Sequence, residues 1–123
     1  MDAKLLVVVV DDDESVRESL PDLLREFGHR VETFASADEF LASQALAKTE
    51  CLILDISLPE MSGPELQKEL ERRRLTIPIV FITANRDETV RQNLLKRGAV
   101  ECLFKPFSDT ALLGALNTAF GIA

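Results

Sequence analysis

Five residues far apart in the chain carry groups that could act on one reacting centre: Asp11, Asp12, Asp55, Thr83 and Lys105. Each stands at the end of a short apolar run, namely Leu5 to Val10, Cys51 to Leu54, Ile79 to Ile82 and Cys102 to Phe104. Runs that are apolar at successive positions read as strands buried on both faces of a parallel sheet. Ligands of an open α/β sheet bind beyond the carboxyl ends of the strands, so the spacing gathers three carboxylates, a hydroxyl and an ammonium on one edge. Three carboxylates held together repel one another and resist ionisation unless a cation compensates them. A hard divalent ion, Mg²⁺ or Mn²⁺, suits that task, because it takes a few protein oxygens and keeps other positions for water and phosphate. The lysine supplies a second positive pole. An aspartate oxygen can attack phosphorus between two such poles, while hydroxyl, ammonium and backbone N–H groups stabilise the equatorial oxygens. These residue types at these positions describe phosphoryl transfer.

The elements that must position them alternate along the whole chain. Val16, Leu20, Leu23, Leu24 and Phe27 recur at helical spacing and stop at Gly28, a helix-ending signal. Arg30 to Phe34 alternates as a more exposed edge strand does. Ser36 and Glu39 have the spacing of a capping box and open a helix carrying Phe40, Leu41 and Leu46; Ser62 and Glu65 repeat the pattern, with Pro64 in a first turn that tolerates it. The helix after Pro64 carries Leu66 and Leu70 and ends in Arg72, Arg73 and Arg74, cations suited to a helix C-terminus. Asp87 to Arg97 is a further helix, with Val90, Leu94 and Leu95 inward and Gly98 closing it. Ser108 caps the last helix, which presents Leu112, Leu113, Leu116 and Phe120. Five βα units require right-handed crossovers and give a doubly wound α/β fold with a five-stranded parallel sheet, too small for an eightfold barrel. Pro21 falls inside the first helix and predicts a kink costing about 3 kcal/mol locally. Asp13 and Glu14 suit the N-terminus of that helix, and His29, after Gly28, reads as an exposed turn residue.

Length and composition narrow the field. The chain has 123 residues, 46% of them hydrophobic, and reads as one domain over 1–123. Its formal charge of −7 repels phosphate backbones, so direct nucleic-acid binding is not expected. The longest apolar run falls far short of the roughly 20 residues that span a bilayer, and three aspartates follow it where a signal peptide would be cleaved. The expectation is a cytoplasmic domain without membrane association. Cys51 and Cys102 lie inside apolar stretches and read as core residues rather than a disulfide or zinc pair.

An ordered set of motifs then carries a resemblance: Val10-Asp-Asp-Asp-Glu-Ser-Val-Arg17, Leu54-Asp-Ile-Ser-Leu-Pro-Glu-Met-Ser-Gly63, Ile82-Thr-Ala84 and Lys105-Pro-Phe107. Over residues 4 to 121 the sequence resembles a receiver domain of bacterial two-component response regulators. The resemblance implies a flavodoxin-like sheet of order 2-1-3-4-5 and a phosphorelay role, with no output domain in this chain. It implies Asp55 as phosphoacceptor from a sensor histidine kinase. Asp12, Asp55 and the backbone carbonyl of Ser57 match the Mg²⁺ ligands, and Asp11 matches an acid acting through water. Thr83 and the N–H of Ala84 match the groups that meet the phosphoryl oxygens, and Lys105 matches their lysine partner. Lys105–Pro106 matches a peptide that is cis in the family. The resemblance also implies a readout surface of fourth helix, fifth strand and fifth helix, here roughly Asp87 to Phe120, which in the family commonly forms a dimer or meets an output domain.

Two features depart from that pattern or vary within it. Cys102 stands where most receivers carry an aromatic switch residue, so switching with Thr83 is expected to be muted or differently routed. Ser57 and Asn85 occupy positions that tune access of hydrolytic water and hence phosphoryl lifetime. The enzyme rival is a haloacid-dehalogenase-type phosphatase, because Asp11-x-Asp13-x-Ser15 fits its motif superficially, though only Asp109 follows Lys105 as a late acid. A flavin carrier shares the sheet order, but three aspartates would repel its phosphate. A pseudo-receiver that binds partners without phosphorylation is the third alternative, and the intact acid set argues against it.

Overall fold

A computed structural model describes residues 4–122. Five parallel strands, β1 (Leu6–Val10), β2 (Arg30–Phe34), β3 (Cys51–Asp55), β4 (Ile79–Thr83) and β5 (Glu101–Phe104), form one sheet in the order β2-β1-β3-β4-β5. The connecting helices are α1 (Glu14–Glu26), α2 (Ala37–Leu41), α3 (Gly63–Arg72), α4 (Glu88–Lys96) and α5 (Asp109–Ala119). The three central strands are buried at every residue, and the outer two are partly exposed. That contrast follows from composition: Val7 to Val10 and Leu52 to Leu54 tolerate burial on both faces, whereas Arg30 and Glu32 require an edge.

The two-residue side-chain period of each strand divides the interior into two cores. Val8, Val10, Leu52, Leu54 and Phe81 meet Phe40, Leu66, Leu70 and Leu94 on the α2, α3 and α4 side. Val7, Val9, Ile53, Val80 and Ile82 meet Leu20, Leu24, Leu112 and Leu116 of α1 and α5. The register sets Val10 beside Leu54, Asp55 beside Ile82 and Thr83 beside Phe104, so the polar strand ends come out at one level.

Caps account for most of the helix starts. Asp13 accepts the Ser15 N–H and caps α1, Asp87 accepts the Thr89 and Val90 N–H groups at α4, and Ser108 accepts the Ala111 N–H at α5. Ser62 and Glu65 complete the reciprocal capping box of α3. At α2 only half of the predicted box forms: the Glu39 N–H reaches Ser36 Oγ, while that hydroxyl sits against the Glu39 carboxylate.

The second helix is shorter than its apolar pattern predicts. It ends after Leu41, and Leu46 lies in a separate 3-10 turn over Gln44–Lys48. Ser43 supplies the reason, because its hydroxyl donates to the Phe40 carbonyl at 2.7 Å and competes with the helical ladder. At the first helix, α1 runs from Glu14 to Glu26 through Pro21, which is buried. His29 is half-buried, its ring 5.2 Å from that of Phe120 with burial pulling its pKa down, rather than free in a turn.

Candidate functional site

The ends of β1, β3, β4 and β5 open into a cavity of about 470 Å³ whose wall includes Asp12, Asp55, Ser57, Ala84, Asn85 and Lys105. Asp11, Asp12 and Asp55 can each offer a carboxylate oxygen within 4.8 Å of the others. Their environments differ. Asp11 is fully buried; its Oδ1 accepts the Asp13 N–H at 2.9 Å and its Oδ2 accepts from Lys105 Nζ at 2.9 Å. Lys105 Nζ also stands 3.8 Å from Asp55 Oδ1, so one ammonium bridges the ends of β1 and β3. Asp12, between these anchored groups, keeps an exposed side chain.

Burial raises the Asp55 pKa, and the charge of Asp11 raises it further; Lys105 and the Ser57 N–H oppose both. Burial alone would depress Lys105, but its hydrogen bond to Asp11 and the charges of Asp55 and Asp11 outweigh that, leaving its pKa raised. The site is therefore short of positive charge. Three clustered carboxylates, Asp55 among them buried and reluctantly ionised, with one flank open, fit a small hard cation that retains part of its water shell.

Other predicted site residues fall in distinct places. Thr83 is 2% exposed and its Oγ1 accepts the Asn85 N–H at 3.0 Å, which shapes the loop that presents Ala84 and Asn85. The Lys105–Pro106 peptide is cis. Cys102 is buried on the α4 side, and burial pushes its thiol up to about 11. Asp13 Oδ1 accepts from the Ser15 N–H and hydroxyl, so this acid serves the N-terminus of α1.

Three contributors were not legible from motif spacing. Gly63 lies so close to β3 that a Cβ would come within 2.5 Å of the Asp55 carbonyl oxygen and 3.1 Å of the Phe81 ring. Arg91 of α4 donates to Glu101 at 2.7 Å, to Glu88 at 2.9 Å and to the Cys102 carbonyl at 3.3 Å, tying α4 to β5. Arg17 Nη1 donates to the Asp11 carbonyl at 2.9 Å. A glycine directly before Pro64 inside a capping box was the available signal for the first; the two arginines gave none, since each acts on a backbone carbonyl of another element.

A doubly wound parallel sheet with clustered acids at its carboxyl edge, one lysine bridging them, makes this an α/β domain with its polar site where open sheets bind their ligands. The family model for the response regulator receiver domain matches residues 7–117, and the chain belongs to that family. It is 40% identical to the response regulator protein TmoT of Ectopseudomonas mendocina, over 99% of this chain and 56% of that protein. Nodulation protein W of Bradyrhizobium diazoefficiens is 46% identical over 94% of this chain and 51% of its own length. The chain thus spans about half the length of the curated relatives it matches. Among solved structures, the response regulator StyR superposes with a TM-score of 0.87 at 48% identity, covering 97% of this chain and 60% of that one. The fold is that of receiver domains, and no described helix is long and apolar enough to cross a membrane.

Proposed function

We propose that this domain accepts a phosphoryl group on Asp55 from a phosphohistidine of a sensor kinase and thereby controls an output domain or partner. The observation that carries the reading is the grouping of Asp11, Asp12 and Asp55 around the ammonium of Lys105 at the open edge of the sheet. In the transfer an Asp55 carboxylate oxygen forms a bond to phosphorus as the bond from phosphorus to the donor imidazole nitrogen breaks. The imidazole keeps that electron pair and takes up a proton.

Asp12, Asp55 and the Ser57 carbonyl would hold Mg²⁺ or Mn²⁺, with Asp11 acting through water; the ion, when bound, supplies positive charge opposite the transferring oxygens. Lys105 neutralises the other side of the phosphoryl group. The Ala84 N–H and the Thr83 hydroxyl complete its donor set, which requires Thr83 to turn toward the cavity. Ser57 and Asn85, on the wall, set how readily water reaches the phosphorus and hence the lifetime of the acyl phosphate.

Phosphorylation adds about −1.5 to −2 charge and new acceptor oxygens. Lys105 and Thr83 lie at the ends of β5 and β4, so their rearrangement is passed to the surface of α4, β5 and α5. Cys102 offers no ring to swing, and the route runs instead through the loop after Thr83 and the α4–β5 contact. That surface is where an output domain or a second copy is placed. TmoT is a response regulator protein and FixJ of Azorhizobium caulinodans, 36% identical over 98% of this chain, is a transcriptional regulatory protein, which supports a regulatory output.

Beryllofluoride, an analogue of a phosphoryl group on aspartate, tests the reading. Fluorine NMR should show one bound species that requires Mg²⁺ and disappears in Asp55→Asn. No bound species in the wild type, or binding that survives Asp55→Asn, overturns it.

A further inference from the structure

Arg17 stands in the opening turn of α1, where a cation opposes the helix dipole. It forms no ion pair among the described residues. Its half-buried guanidinium reaches back instead to the end of β1, where Nη1 donates to the Asp11 carbonyl at 2.9 Å. That carbonyl and the Asp12 nitrogen belong to one rigid peptide plane. The rest of Asp11 is also held: its N–H donates to the Phe34 carbonyl at 3.1 Å, and its two carboxylate oxygens are taken by the Asp13 N–H and by Lys105. With Asp11 held at these points, the Arg17 bond fixes the peptide plane that places the Cα of Asp12, leaving rotation about its own N–Cα bond to aim its side chain.

We propose that Arg17 is a positioning residue for the divalent-cation site. Acting through the Asp11 carbonyl, it holds the Asp12 carboxylate where Asp12 and Asp55 can share one ion. The proposal rests on the reading of Asp12 and Asp55 as ligands. It makes a prediction opposite in sign to that of charge alone. A guanidinium beside the acids repels a divalent cation, so deleting the charge should tighten binding if charge is all Arg17 contributes. Deleting the hydrogen bond should weaken it.

The experiment is calorimetric titration of the full chain with Mg²⁺ for wild type, Arg17→Met and Arg17→Lys. It is accompanied by backbone amide shifts of Asp12 and Asp13 in chelator and by acetyl phosphate kinetics. Arg17→Met should bind Mg²⁺ about tenfold more weakly, in the range typical of lost outer-shell support. Arg17→Lys should recover most of that loss, because its ammonium can still donate to the same carbonyl. The phosphorylation rate at saturating Mg²⁺ should stay near that of the wild type, while the Mg²⁺ concentration for half-maximal rate rises.

Unchanged or tighter binding by Arg17→Met, or a loss that Arg17→Lys does not recover, overturns the proposal. If Arg17→Met unfolds below the working temperature, Arg17→Lys and Arg17→Gln give the same comparison of donor against charge. Failure of the wild type to bind Mg²⁺ would instead strike the ligand reading itself, separately from Arg17.

Discussion

Asp55 is a residue held against its own preference. Burial and the neighbouring Asp11 raise its pKa above the ordinary carboxylate value of 3.8, and Lys105 only partly offsets them. An acid whose folded pKa exceeds its unfolded pKa binds more protons when folded, so stability falls as pH rises through the window from 3.8 upward to the folded value. The penalty is complete once the pH lies above the folded value. Asp55→Asn should therefore melt above the wild type at pH 7 in chelator and lose that advantage as the pH falls through the same window. Excess Mg²⁺ should reverse the order at pH 7, because it stabilises only the protein that binds it. A wild type already the more stable in chelator would contradict this reading of the site. Lys105 holds the counterpart position: Lys105→Met leaves buried Asp11 without its cation and should cost about 2 kcal/mol, less than a fully buried pair because the lysine is partly exposed. Denaturant melts in chelator measure it.

At the scale of elements, the site depends on how closely α3 packs under β3 and how α4 is fastened to β5. Gly63 admits the first turn of α3 to within van der Waals reach of the Asp55 carbonyl. Gly63→Ala places a methyl against backbone, which cannot yield as a side chain tip can, and should cost about 2–3 kcal/mol. It should also shift the Asp55 and Ile56 amides more than those of Val7 to Val10. Arg91 and Glu101, joined at 2.7 Å and partly exposed, should show a coupling energy of about 0.5–1 kcal/mol in a double-mutant cycle. Their loss should raise hydrogen exchange at β5. Cys102 is buried beside that contact, its carbonyl accepting from Arg91, so Cys102→Tyr should alter phosphorylation-dependent partner binding. Unchanged binding would remove residue 102 from the switch.

The strands were readable because unbroken Val, Ile and Leu runs leave little choice but central parallel pairing, and the helix starts because Ser62, Asp87 and Ser108 cap them in the ordinary way. The end of α2 was not readable, since a serine hydroxyl turning onto the Phe40 carbonyl depends on local geometry that apolar spacing does not report. The acids and Lys105 were legible as a site because strand ends of a parallel sheet must converge. The supports around them were not, because Arg17, Gly63 and Arg91 act on backbone atoms of neighbouring elements, which no side-chain pattern marks.

The whole molecule acts as one unit in this account, with charge added at the sheet edge and read out on the α4, β5 and α5 face. Asp55 is the group proposed to take the phosphoryl. The most direct test is the intact mass after incubation with acetyl phosphate and Mg²⁺, with wild type and Asp55→Asn side by side. One added phosphoryl group on the wild type, absent without Mg²⁺ and absent from Asp55→Asn, is the predicted result. An unmodified wild type, or an adduct that persists in Asp55→Asn, would contradict it.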